Sequence, residues 1–369
     1  MDFSGYGVPS PEWEAFVQTN PTAGQPGRVP RDVTPEQIQR QTNAAREQAA
    51  AVLCAAHGLD EAVVQLTDYA CPTRDGSSAA ITVRAYRPTA AAGVERLPAF
   101  VYFHGGGYLF GSLGSERYLC GSLAAQLGLL VLHVCYRHTP VFVHPTAHCD
   151  GHDGLQWIAD HGQVLGLDTD NVVVGGLSAG AAVAASAALA MRRPSGCRSE
   201  ERPAAGRLRI RAVVLGIPWI LHPDAFPVHL FARPAVASPV QCADAPVIAQ
   251  DYIDFFTDLL QVNDAEDPLL NLPLRSNEEL QCLPKTAIVV AGRDPLRDGG
   301  LLLADRLARL SIPTKVHVFK GLPHGFRRFT ELPSTSRFDG LLEECIRWGF
   351  ENGVETRQST DWKIEGADV

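Results

Sequence analysis

A serine set between glycines is the first residue whose surroundings point to chemistry. Val172-Val173-Val174 is a short β-branched run that stops at Gly175-Gly176. Leu177 and Ser178 follow, and Ala179-Gly180 leads into an alanine-rich helical stretch from Ala181 to Arg192. The pattern is strand, tight turn, helix, with the serine at the apex. Such a turn strains the serine backbone, needs glycines beside it, and lifts the hydroxyl to where a base and a substrate reach it. His104-Gly105-Gly106-Gly107 comes directly after the apolar run Ala99 to Phe103. Glycines after a strand leave backbone N–H groups bare, as an oxyanion hole requires. Gly106 and Gly107 are the candidate donors from this loop, and Ala179 is the donor that follows the nucleophile.

Two further pieces supply a base and its carboxylate. Asp294 follows the apolar run 285 to 291, where a carboxylate at a strand end orients an imidazole. Asp298 opens the next helix and reads more simply as its N-cap. His324, between Pro323 and Gly325, sits on a loop after the last strand of the core. Together these residues describe acyl transfer: Ser178 as nucleophile, His324 as general base and acid, Asp294 as the group that holds the imidazole. Tyr108 and Phe110, beside the glycine loop, and Leu177, beside the serine, are the candidate substrate contacts. A competing constellation is His144, His148 and His152, spaced four apart and so on one face of a helix. Three imidazoles suit zinc. Pro145 starts that helix and no matching carboxylate or cysteine set accompanies them, so no metal site is assigned and Asp150 reads as a structural hydrogen-bonding residue.

The elements that must position these groups alternate along the chain. Thr34 and Gln37 form a capping-box pattern before Pro35, and Ile38, Ala45, Ala49, Val52, Leu53 and Ala56 recur at helical spacing up to Gly58. Strands are expected at 63–66, 81–86, 99–103, 129–135, 172–174, 210–216, 285–291 and 314–319, with helices at 146–161, 299–310 and 338–350. That alternation implies an α/β fold, a mostly parallel sheet with helices on both faces, whose site lies beyond the carboxyl ends of the strands. Residues 1–62 read as a helical cap segment, 63–353 as the core with a cap insertion at about 218–283, and 354–369 as a polar, loosely held tail. Residues 194–206 read as an exposed loop.

Composition narrows the function classes. Hydrophobic residues are 46% and charged residues 20% of the chain, as in ordinary globular proteins. A net charge of -9 without a basic stripe argues against nucleic acid. No signal peptide or membrane-spanning run is apparent, and nine scattered cysteines without a CxxC pair suit reduced thiols, so the expectation is a cytoplasmic protein without a cofactor.

The segments HGGGYLFGS, GLSAG, DPLRD and PHGF closely resemble the hormone-sensitive-lipase-like group of α/β-hydrolases, which includes many microbial and fungal carboxylesterases. The resemblance covers about residues 95 to 350. The order Ser178, Asp294, His324 is the order such hydrolases use. The resemblance implies an α/β-hydrolase fold with a helical cap, the same triad and oxyanion donors, no metal, and a small to medium, partly apolar ester as substrate. Tyr136-Arg137 matches the group's YR segment. The chain departs from the pattern at Leu177, at Arg137 to Pro145 and at Arg293, and these departures bear on substrate. Acyl transfer, dehydration or cyclisation of a secondary-metabolite intermediate on the same scaffold is the alternative, and a non-catalytic ligand receptor a further one.

Overall fold

The computed structural model describes residues 1–76, 80–191, 206–351 and 360–365. Except for Gly206, the loop expected at 194–206 lies outside them. Nine strands form a single sheet among the described residues: β1 Val64–Pro72, β2 Ala80–Pro88, β3 Leu97–Phe103, β4 Leu130–Cys135, β5 Leu167–Leu177, β6 Ile210–Gly216, β7 Lys285–Arg293, β8 Thr314–Pro323 and β9 Thr360–Glu365. The helices are α1 Pro11–Thr19, α2 Pro35–Ala56, α3 Arg117–Leu127, α4 Thr146–Asp160, α5 Ala179–Met191, α6 Ser238–Gln241, α7 Gln250–Leu260, α8 Asn277–Leu280, α9 Arg297–Arg309 and α10 Pro333–Phe350. The strand order is β1-β2-β4-β3-β5-β6-β7-β8-β9. β2 pairs antiparallel with β1 and β4, and every other pairing is parallel.

Parallel strands need both faces covered, so their sequences read as unbroken apolar runs. Period-two alternation divides each run between two cores. Val101, Phe103, Val172, Val174, Val213 and Val290 join one cluster with α4, α5 and α9. Phe100, Tyr102, Val173, Val214 and Val289 join the other with α1, α3 and α10. Alanines let α5 lie close to the sheet, and Gly180 is required there: a Cβ would run into the Phe103 and His104 carbonyls. α2 begins as its capping box predicts, with Gln37 N–H on Thr34 Oγ1 at 3.3 Å and Thr34 N–H on Gln37 Oε1 at 2.9 Å.

Two elements differ from the sequence expectation. α3 was not foreseen, because its buried residues Leu119, Cys120, Leu123 and Ala124 are interrupted by Gly121. The tail was expected to be loose, yet Thr360–Glu365 adds a strand parallel to β8. Glu365 is gripped by Arg337 at 2.8 Å and His317 at 2.7 Å, which anchors that edge. No helix among the described residues is long and apolar enough to cross a membrane.

Candidate active site

Strand register brings the chemistry together. Phe103, the last residue of β3, pairs with Gly176 of β5, so the loop from His104 and the turn at Ser178 leave the sheet side by side. Arg293 of β7 pairs with Pro323 of β8, so Asp294 and His324 are the next residues of adjacent strands. The Ser178 backbone is strained, with φ 51°, and is pinned by its N–H on the Gly216 carbonyl at 2.8 Å and by Trp219 N–H on its own carbonyl at 3.1 Å.

The side chains form one chain of hydrogen bonds. His324 Nδ1 is 2.7 Å from Asp294 Oδ2, and His324 Nε2 is 3.0 Å from Ser178 Oγ. With the neutral ring protonated on Nδ1, that N–H donates to the carboxylate and the serine O–H donates to Nε2. Asp294 Oδ1 accepts from Leu296 N–H at 2.8 Å, so both carboxylate oxygens are fixed. All three residues are buried. Asp298 is not an N-cap. It lies within α9, accepts from Ser238 N–H at 2.6 Å and pairs with buried Arg297 at 2.7 Å, tying α6 to the sheet end.

The glycine loop folds against the serine. Gly107 has φ 62°, and a Cβ on it would meet the Phe256 ring at 2.5 Å. Gly106 and Gly107 have N–H groups with no acceptor among the described residues, and Ala179 N–H opens α5, where a helix has no internal partner for it. Tyr136 O–H donates to the His104 carbonyl at 2.7 Å, and Arg137 grips Asp150 at 2.6 Å, so the YR segment secures the loop from beneath. Burial, reinforced by His133, pushes the His104 imidazole down to about 3, which keeps it neutral.

The remaining sequence candidates scatter. Tyr108 is buried, with its ring 5.4 Å from Trp219 and its O–H 3.4 Å from His148 Nε2. Phe110 packs edge-on against Phe256. Leu177 packs against the core on the α10 side. His144 and His152 turn to other partners, Asp267 at 2.9 Å and Ser186 at 2.7 Å. A small apolar pocket lies beside these residues, lined by Trp219, Ile220, Phe226, Ile253, Pro295 and Leu296 among others. It does not reach Ser178 itself, but Trp219 bonds the serine carbonyl and Pro295 follows Asp294. Sequence reasoning missed Trp219 and Phe256. Both lie in the expected insertion, and Phe256 sits between Ile253 and Leu260 on the buried stripe of α7.

A family model described as alpha/beta hydrolase fold matches residues 100–328. Esterase LipI of Mycobacterium tuberculosis is 30% identical over 253 residues, covering 68% of this chain and 72% of that one. Ethyl acetate hydrolase of Pseudomonas putida is 28% identical over 263 residues, covering 71% and 76%. The crystal structure of vibralactone cyclase superposes with a TM-score of 0.81 over 94% of this chain and 96% of that chain, at 24% identity, and shares the fold.

Proposed function

The chain belongs to the alpha/beta hydrolase family and is a carboxylesterase-like hydrolase, and from that premise we propose that Ser178, His324 and Asp294 are its catalytic triad. Ser178 Oγ attacks the ester carbonyl while His324 Nε2 takes its proton. The imidazolium then returns that proton to the leaving alcohol, and Asp294 stabilises the charged ring throughout. Gly106, Gly107 and Ala179 N–H groups hold the oxyanion of each tetrahedral intermediate. Water, activated by the same histidine, releases the acid. The observation that carries this reading is the unbroken Asp294–His324–Ser178 chain at 2.7 and 3.0 Å, beside a loop with uncommitted N–H groups.

The substrate is a small to medium ester with one apolar group, in keeping with the apolar lining of the pocket beside Trp219 and Leu296. A cytoplasmic location suits the scattered cysteine pattern. An acyl-chain series of p-nitrophenyl esters tests the reading. Turnover peaks at short chains, and Ser178→Ala lowers kcat by at least about 10⁴-fold without unfolding the protein. Turnover that survives Ser178→Ala refutes the assignment. Product analysis with an added alcohol separates hydrolysis from acyl transfer.

A further inference from the structure

Beyond the triad, the face of α2 turned to the glycine loop is polar and grips backbone. Gln39, Asn43, Arg46 and Glu47 share that face. Gln39 Nε2 donates to the Leu109 carbonyl at 2.6 Å and the Thr139 carbonyl at 3.2 Å. Asn43 Oδ1 accepts from Gly111 N–H at 2.9 Å, and its Nδ2 donates to the Gly111 carbonyl at 3.4 Å. Glu47 accepts from Ser112 O–H at 2.5 Å. Arg46 reaches deepest: Nη1 lies 3.4 Å from the Gly105 carbonyl and Nη2 is 2.8 Å from Glu116 Oε1. We propose that Arg46, held by buried Glu116, is a positioning residue for the oxyanion hole.

Peptide geometry gives the reason. Gly105 C=O and Gly106 N–H belong to one planar trans peptide unit and point in opposite directions. A guanidinium on the Gly105 carbonyl, which His104 Nδ1 also approaches at 3.3 Å, therefore helps set the direction of the Gly106 N–H, and glycine on both sides of that unit leaves its rotation dependent on such contacts. The positive charge also polarises the amide and strengthens its donation on the other side. Arg46 is itself immobilised. Its side chain is one-third exposed, but Glu116 is buried and accepts from Tyr102 O–H at 2.8 Å and Ser115 O–H at 3.0 Å. Burial alone would raise the Glu116 carboxyl, yet the Arg46 guanidinium above all outweighs it, and the carboxyl is held down to about 2. A carboxylate held this way stays charged and keeps the guanidinium on the loop. α2 thus acts on the reaction through the loop backbone, without touching substrate.

This proposal rests on the catalytic reading above, and its test separates the two. Active sites of wild type, Arg46→Ala, Arg46→Lys and Arg40→Ala are counted with a serine-directed phosphonate, so that kcat is expressed per reactive serine. Arg40 is exposed on the same helix and serves as control. A trifluoromethyl ketone, which forms a tetrahedral adduct on a reactive serine, reports oxyanion binding. Arg46→Ala is expected to lower kcat about 10- to 50-fold, less than the loss of a whole donor, with KM within about twofold. The ketone Ki rises by the same factor, Arg46→Lys recovers part of the loss, and Arg40→Ala matches wild type. If Arg46→Ala keeps wild-type kcat per reactive serine and ketone affinity, or changes KM alone, the proposal is overturned even where the variant is less stable. Should Arg46→Ala not fold, Arg46→Lys carries the same comparison: a parallel rise in Ki and fall in kcat supports the proposal, and unchanged values overturn it. If wild type itself shows no serine-dependent turnover, the catalytic reading fails instead.

Discussion

Two helices far apart in sequence meet the same glycine loop, and they meet it with opposite chemistry. α2 approaches with amides and a guanidinium that bond to the backbone of residues 105 to 111, and with a carboxylate that accepts from the Ser112 hydroxyl. α7 approaches with rings: Phe256 faces Gly107, crosses Phe110 edge-on at 5.6 Å and lies 6.2 Å from Trp219. Hydrogen bonds fix direction, so the α2 side sets where N–H groups point. Aromatic packing is tolerant of direction but excludes volume and water, so the α7 side governs what fits and how dry the site is. A single loop is thus aimed from one side and sealed from the other.

The sharpest way to break this division is to make the two sides collide. Gly107→Ala places a Cβ against the Phe256 ring at a backbone conformation that alanine resists, and kcat/KM is expected to fall about 10²- to 10³-fold. Phe256→Ala in the same chain should recover part of that loss by removing the ring while leaving the φ strain. No recovery in steady-state kinetics would mean that α7 does not press on the loop. Phe256→Ala alone should cost about 3 kcal/mol of stability from the cavity it leaves. It should also move the preferred acyl or alcohol group to larger sizes in an ester series, with kcat on the best substrate within about tenfold. A variant with unchanged size preference would remove α7 from the account of selectivity.

On the polar side, Gln39→Ala frees the Leu109 and Thr139 carbonyls and should lower kcat about threefold to tenfold with the size preference intact. A shift in size preference instead would erase the distinction between the helices. The smallest effect concerns pH. Burial above all, with His133 adding to it, pushes the His104 imidazole down to about 3, and burial pushes the His133 imidazole down to about 4 against the opposing Glu116 carboxylate. An unfolded chain protonates near pH 6.5, and the folded one resists, so these groups favour folding above pH 6.5 and that advantage is lost as pH falls towards 4 and then 3. Tm should therefore fall on acidification across this window. His133→Leu removes one such group, whose two ring nitrogens are buried without hydrogen-bond partners among the described residues, and should flatten the curve between pH 6.5 and 4. An unchanged slope in thermal melts would show that His133 does not contribute.

The sequence exposed the proposed triad because each member announces itself locally. Ser178 has its strand, its glycines and its helix within about a dozen residues, and Asp294 and His324 each follow directly on an apolar strand. The support was not legible. Arg46 meets Gly105 across 59 residues and Glu116 across 70, and no local pattern encodes such a meeting. Asp298 misled for the same reason: its place near a helix start suggests a cap, while its partner Ser238 lies 60 residues away. Leu177 shows the limit of adjacency, since strand alternation turns it towards the α10 side although it precedes Ser178. The final strand was hidden by its polar sequence, because its edge position asks for few apolar residues and its anchors, Arg337 and His317, come from elsewhere in the chain.

The most direct test of the central claim is to label the intact protein with a fluorophosphonate and map the adduct by peptide mass spectrometry, with Ser178→Ala and His324→Ala in parallel. The account predicts one adduct, on Ser178, formed in proportion to the loss of ester turnover, absent from Ser178→Ala and at least about 10²-fold slower to form in His324→Ala. An adduct on another residue, or ester turnover that continues undiminished once Ser178 is fully labelled, would contradict it.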